Sequence, residues 1–254
     1  MTGPTRPILL DAFCKAGGAA KGYQRAGFYV VGIDIEPQPN YCGDEFVQAD
    51  ALDYLRTIHV RCSPTCRDGY AAVHASPPCQ FHMESGMVRK DRAVNLIPPT
   101  RALLEQMGLP YVIENVPGAR KTGPMRADLT LCGSMFGLQV RRHRIFESNV
   151  QIGPWPPASC DHSQRITGVY GHPHGEAGAY RNTNKPMLPS NLETWSTAMG
   201  IDWMTAAELA QAIPPDYTEF IGRRLLSLCD HGAAHPWDCP DCHPLAVVPS
   251  RGVS

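Results

Sequence analysis

The sequence predicts an α/β protein: a doubly wound, mostly parallel sheet followed by a small irregular subdomain. Three observations predict it. Short apolar runs alternate with helical stretches from Pro7 to Glu114. Several of these runs stop at an acid, and others at a glycine or a proline pair. Past residue 147 the alternation stops and the texture becomes irregular.

Pro7 to Phe13 reads as a buried strand around Ile8-Leu9-Leu10. A turn of small residues follows, Ala16-Gly17-Gly18-Ala19-Ala20, and Ala19 to Ala26 reads as a helix stopped by Gly27. Phe28 to Ile35 is the second strand, closing around Asp34 and Glu36, with Pro37 and Pro39 behind it. Phe46 to Asp50 is a short third strand, and Ala51 to Arg56 a helix. Tyr70 to Ala75 is the fourth strand, stopped by Pro77-Pro78. A helix fits Thr100 to Met107, and Tyr111 to Glu114 is the fifth strand. Residues 149–192 are rich in Pro, Gly, His and Asn, with little periodicity. Helical pattern returns from Trp195 to Leu228, broken at Pro214-Pro215, and a Pro-rich stretch begins at His231. The expected organisation is a catalytic and cofactor-binding core at 1–148, a small target-recognition-like subdomain at 149–192, helices returning to the core at 193–230, and a Cys/His/Pro-rich tail at 231–254.

Composition narrows the function classes. With 254 residues and 43% hydrophobic content the chain can fill a core, and 19% charged residues is too few for a disordered charged chain. No apolar run is long enough to span a bilayer and no secretory signal pattern is present, so a soluble cytoplasmic protein is expected. A net charge of -1 argues against tight binding to nucleic acid through bulk charge. It leaves room for a local basic cleft, and arginines cluster at Arg141, Arg142 and Arg144 and at Arg223 and Arg224. Ten cysteines, unevenly spread, point to metal binding or catalysis rather than a disulfide ladder.

In a doubly wound sheet, ligands bind at the carboxyl ends of the strands. The glycine turn Asp11 to Gly18 lies at the first such end, where glycines let a ligand approach the backbone and the helix start offers N–H donors. A plain tight turn would use the same residues. Asp34 suits ribose hydroxyls and Asp50 an adenine amino group; either could equally be a loop carboxylate or a helix cap. Pro77-Pro78 stiffens the chain after the fourth strand and presents Cys79, a nucleophile if its thiolate forms and an inert buried thiol otherwise. Glu114 closes an apolar strand, where a carboxyl is costly unless used or paired. Arg141, Arg142 and Arg144 can hold a base edge or a phosphate, or form an exposed basic turn.

Taken in order, Phe13-x-x-x-Gly17-Gly18, Asp34, Asp50, Pro77-Pro78-Cys79-Gln80, Glu114-Asn115-Val116 and Arg142-x-Arg144 resemble the C5 cytosine DNA methyltransferase family. The match is strong over residues 8–147 and weaker over 200–228, and the short remainder resembles the small enzymes of bacterial viruses. The resemblance implies a Rossmann-like, S-adenosylmethionine-dependent methyltransferase fold. It implies Cys79, Glu114, Arg142 and Arg144 as catalytic residues. Phe13, Lys15, Ala16, Gly17, Gly18, Asp34, Ile35, Asp50, Ala51 and Pro77 would line the cofactor site, and Gln80, Asn115, Arg141 and Arg142 would face the substrate. The implied substrate is a cytosine flipped out of double-stranded DNA, since ring atoms within the stack are out of reach. A monomer in the cytoplasm of a bacterial or phage-infected cell, with a restriction–modification role, completes that expectation.

Departures from the family pattern set questions. Lys15 stands where glycine is usual, Val140 where the Gln-x-Arg-x-Arg motif opens with glutamine, and Gln211 where Gly-Asn-Ala-Val-Pro-Pro carries asparagine. The region 149–192 is short for target recognition, which predicts a short or relaxed recognition sequence. Cys229, His231, His235, Cys239 and Cys242 have metal-ligand character and suggest zinc, with Cys62-x3-Cys66 and Cys160-x-His162 as further candidates. Other readings stay open: an RNA (tRNA) cytosine-C5 methyltransferase, a catalytically silent nucleic-acid-binding protein of the same fold, and transfer of a group other than a plain methyl.

Overall fold

The computed structural model describes residues 6–61, 69–82, 94–152, 159–171 and 190–227. The five predicted strands are present as β1 (Ile8–Ala12), β2 (Tyr29–Asp34), β3 (Glu45–Gln48), β4 (Tyr70–Ala75) and β5 (Tyr111–Asn115). Two more complete the sheet, β6 (Leu129–Leu131) and β7 (Arg144–Ser148), in the order β3-β2-β1-β4-β5-β7-β6. All run parallel except β7, which is antiparallel to both neighbours. The helices are α1 (Gly18–Ala26), α2 (Ala51–Arg61), α3 (Ile97–Met107), α4 (Ala119–Thr122), α5 (Leu192–Met199), α6 (Ala206–Gln211) and α7 (Pro215–Leu226).

Strand alternation explains why both sheet faces are covered. Successive side chains point to opposite faces, so Leu10, Ile33, Val73 and Ile113 enter one core with Leu55 and Ile97. Leu9, Val30, Ala72 and Val112 enter the other with Phe146, Tyr217 and Ile221. Pro98 and Pro99 sit in the first turn of α3, where a missing N–H costs nothing, so that helix begins three residues earlier than predicted. Pro215 opens α7 for the same reason.

The C-terminal helices return to the start of the chain. Helices α1 and α7 pack at backbone distance: a Cβ on Gly22 would lie 2.0 Å from the Pro215 carbonyl oxygen. The Thr218 hydroxyl donates to the Ala19 carbonyl at 2.8 Å across this contact. Trp203 Nε1 donates to the Ala16 carbonyl at 3.0 Å, so the glycine turn is held from the C-terminal side. Trp195, Met199, Ile201, Val140 and Val169 form a smaller third core beneath α5 and α6. Among the described residues no helix is long and apolar enough to cross a membrane.

Candidate active site

Parallel pairing puts the carboxyl ends of β2, β1, β4 and β5 side by side on one edge of the sheet. The glycine turn leaves β1, Asp34 ends β2, the Pro-Pro-Cys turn leaves β4, and Glu114 lies near the end of β5. Because β7 runs the opposite way, its first residue, Arg144, reaches the same edge.

The glycine turn is strained. Phe13 and Lys15 have φ of 61° and 46°, which is uncommon for residues with a Cβ, and Gly17 has φ 86°. Asp34 holds this shape. Its carboxylate accepts the Lys15 N–H at 3.1 Å and the Glu36 N–H at 3.0 Å. The Lys15 ammonium lies 3.6 Å from Asp34 and 2.8 Å from Glu36. Lys15 is thus paired with Asp34 and the exposed Glu36. Helix α1 opens at Gly17 without a side-chain cap. Gly18 serves packing, since a Cβ there would meet the Ile213 carbonyl oxygen at 2.6 Å. Ala16 and Ala51 are buried, whereas Ile35 is 64% exposed. One oxygen of Asp50 caps α2 by accepting the Asp53 N–H at 2.9 Å.

Cys79 begins a single 3-10 turn, Cys79–Phe81, immediately after Pro78. Asn115 fixes that turn: its amide donates to the buried Pro77 carbonyl at 2.8 Å, and its side-chain oxygen accepts the Val116 N–H. Pro77 is buried and Gln80 exposed. Burial, and then the charge of Glu114, push the Cys79 thiol above the ordinary range, while Arg144 and Arg142 pull it back.

Glu114 is buried, with the Arg144 Nε 2.9 Å from its Oε1 in an ion pair rather than an aligned hydrogen bond. Burial raises its carboxyl above the usual range against the pull of Arg144, a Ser76 hydrogen bond and Arg142. Ser76 continues inward. His74 Nε2 lies 2.9 Å from the Ser76 hydroxyl, and His74 Nδ1 3.0 Å from the Tyr23 hydroxyl. Burial holds His74 down to about 3, so the ring is neutral. His74 therefore links Tyr23 on α1 to Ser76, beside the Pro-Pro-Cys turn.

Arg142 is 1% exposed; its two terminal guanidinium nitrogens donate to backbone, while its buried Nε has no hydrogen-bond partner. It donates to the Val169 carbonyl at 3.0 Å and to the Ala210 carbonyl, and lies over the Tyr170 ring. Burial, then Arg144, lower it to about 10. Arg141 donates to the His162 carbonyl. The proposed tail ligands Cys229, His231, His235, Cys239 and Cys242, and the pair Cys62 and Cys66, lie outside the described residues.

Sequence reasoning did not assign Tyr23, His74, Ser76 or Asp11. Ser76 adjoins Pro77-Pro78-Cys79, which was the available signal. Asp11 is fully buried on β1, and the Ala20 N–H faces its carboxyl without completing a hydrogen bond. Burial, then Asp34 and Glu114, push that carboxyl well above the usual range.

No protein-family model and no curated protein matches the chain. Solved structures do. A protein described as a candidate DNA modification methyltransferase, encoded within an E. coli prophage, aligns at TM-score 0.57 and 14% identity over 87% of this chain and 99% of its own. The Dnmt2 methyltransferase of S. pombe aligns at TM-score 0.55 and 13% identity, covering 87% and 98% of the two chains. The methyltransferase EhMeth of Entamoeba histolytica aligns at TM-score 0.51 and 12% identity, covering 88% and 98%. The chain has the methyltransferase fold. The agreement with these methyltransferases runs over nearly their whole length.

Proposed function

We propose that this protein is an S-adenosylmethionine-dependent DNA cytosine-C5 methyltransferase, with Cys79 as nucleophile and Glu114 as the acid that holds the base. One observation carries the reading. A cysteine presented after two prolines and a buried carboxyl paired with arginine meet at the carboxyl edge of this fold, next to a strained glycine turn. A structural role would need neither the strain nor the buried acid.

The turn residues suit the cofactor. Lys15 offers a cation, the uncapped start of α1 offers N–H donors to a carboxylate, Asp50 and Glu36 offer acceptors, and Ile35 offers an exposed apolar face to a purine. When bound, S-adenosylmethionine supplies the electrophilic methyl group that an activated C5 takes.

The chain's own residues supply that activation. The Cys79 thiolate adds to C6 of cytosine, forming an S–C6 bond as the C5–C6 π bond opens. Glu114 donates a proton toward N3, so the displaced electron pair is stabilised and C5 becomes enamine-like. Placing a proton on Glu114 also removes the charge that opposes thiolate formation at Cys79. Arg144 orients the carboxyl. Solvent water then takes the C5 proton, the C5–C6 double bond re-forms as Cys79 leaves as a thiolate, and the N3 proton returns to Glu114.

Covalent trapping tests the reading. Duplex DNA containing 5-fluorocytosine is expected to form a denaturation-resistant adduct with the wild type in the presence of cofactor and none with Cys79→Ser. No adduct under any condition would favour a silent binder, and an adduct only with RNA hairpins would move the reading to an RNA substrate. Methyl transfer to duplexes of varied sequence tests the relaxed specificity, which a strict site of about six base pairs would refute.

A further inference from the structure

We propose that Cys132, His143, Cys160 and His162 form a structural zinc site that fastens the 159–171 segment to the arginine turn before β7. The four residues come from three separate stretches. Cys132 follows β6, His143 precedes β7, and Cys160 and His162 lie on the irregular segment. Their four ligand atoms lie within 4.8 Å of one another.

The spacing matches a tetrahedral site. Zinc bonds of about 2.3 Å to sulfur and about 2.0–2.1 Å to nitrogen put neighbouring S and N ligands roughly 3.5 Å apart at tetrahedral angles. Cys132 Sγ to His162 Nε2 is 3.5 Å, and Cys160 Sγ to His143 Nε2 is 3.4 Å. Cys160 Sγ to His162 Nε2 is 2.6 Å, tighter than two ligands of one ion, and Cys160 is exposed, so rotation of its side chain opens that distance. The His143 and His162 rings stand at 86° to each other, so they do not stack. Both cysteines are free thiols.

The donor set also selects the metal. Two thiolates and two neutral imidazoles fit a borderline-soft, tetrahedral dication. Binding displaces two thiol protons and leaves a site of zero net charge, which suits a place where Cys132 is fully buried and arginines crowd around. Segment 159–171 contains no helix or strand and adds only Val169 to the buried hydrophobic residues. A metal crosslink is a common substitute where apolar burial is scarce. It would also fix His143, and with it Arg142 and Arg144, one residue away on each side.

The inference does not depend on the methyl-transfer reading, because metal content is measured without activity. Full-length protein purified without added metal is assayed for zinc alongside Cys160→Ser and, separately, a Cys239→Ser, Cys242→Ser double variant of the tail. The expected result is a loss of about one equivalent per chain in Cys160→Ser relative to wild type, with that equivalent retained in the tail variant. Cobalt in place of zinc is expected to give the thiolate charge-transfer and visible bands of a tetrahedral site in wild type. In Cys160→Ser, whose folding is checked by circular dichroism, these bands are weakened. Equal zinc in wild type and Cys160→Ser would overturn the proposal. So would less than about a tenth of an equivalent in wild type, or a Cys132–Cys160 disulfide in protein purified under reducing conditions.

Discussion

Substituting alanine for Gly22 adds one methyl group where the structure leaves no room. The new Cβ would lie 2.0 Å from the Pro215 carbonyl oxygen, 2.1 Å from the Thr218 hydroxyl and 2.6 Å from the Glu219 nitrogen. Two of these are backbone atoms, so α1 and α7 must separate by about 1 Å to reach ordinary contact. In an isolated helix the same change would stabilise by about 1 kcal/mol. Here overpacking costs about 1–3 kcal/mol. Stretching the buried bond from Thr218 to the Ala19 carbonyl costs about 1 kcal/mol more. The net expectation is a loss of roughly 1–3 kcal/mol, or a melting temperature lower by about 2–12 °C in a protein of this size. Thermal melting followed by circular dichroism measures it. Because α1 carries the glycine turn, S-adenosylmethionine binding by calorimetry is expected to weaken as well. An unchanged or higher melting temperature would show that α1 and α7 do not meet at backbone distance, and would remove the C-terminal support assigned to the turn.

Three further outcomes are expected. Glu114→Gln removes the charge that raises the Cys79 thiol, so the pH midpoint of iodoacetamide alkylation at Cys79, resolved by mass spectrometry, moves down; Arg144→Gln moves it up. The same Glu114→Gln change lowers methyl transfer by about 10²–10⁴-fold, and alkylation midpoints moving together would break the assignment. A carboxyl raised in the folded state binds its proton more tightly there, so Asp11 stabilises below the ordinary carboxylate range and loses that contribution as pH rises through its raised value. Asp11→Asn therefore gains on wild type as pH rises, by up to about 1.4 kcal/mol per pH unit in urea titrations, and parallel stability curves would contradict it. Asn115→Ala frees the Pro77 carbonyl at a cost of about 1–3 kcal/mol, and slows Cys79 addition more than it weakens cofactor binding; equal effects on both would point to a general loss of folding.

The parts of the fold that could be read from the sequence are those where burial and punctuation agree. Leu9-Leu10, Val30-Val31 and Val112-Ile113 are buried on both faces, so they appear as apolar runs, and proline or glycine marks their ends. Strand β7 hid because its Glu147 and Ser148 are buried but polar. Glu147 accepts from Arg101 Nη2 and from the Arg126 N–H, both at 2.8 Å, and that pairing is long-range. Strand β6 is three residues long. Motif residues were visible by type and order, but their partners were not. That Asp34 would grip the Lys15 and Glu36 backbone, or that His74 would reach both Tyr23 and Ser76, depends on how strands lie next to one another. The cluster at Cys132, His143, Cys160 and His162 left only Cys160-x-His162 as a local trace, because its other ligands are distant in sequence.

The two arginines of Arg142-x-Arg144 are equal in the sequence and unequal in the structure. Arg144 meets Glu114 at the reacting edge. Arg142 bridges the Val169 and Ala210 carbonyls beside the Tyr170 ring, while its own carbonyl accepts the Tyr217 hydroxyl at 2.8 Å. A planar guanidinium can serve two carbonyls and a ring at once, and lysine cannot. Moving the guanidinium away would leave the buried Val169 carbonyl unpaired, at about 1–3 kcal/mol, and the part-buried Ala210 carbonyl as well. These backbone hydrogen bonds give Arg142 a mechanical role. It joins the irregular segment, the C-terminal helices and the turn that carries Arg144. A displacement of segment 159–171 by nucleic acid would then reach Glu114 through two residues of backbone. That coupling would let contacts made outside the sheet bear on Glu114.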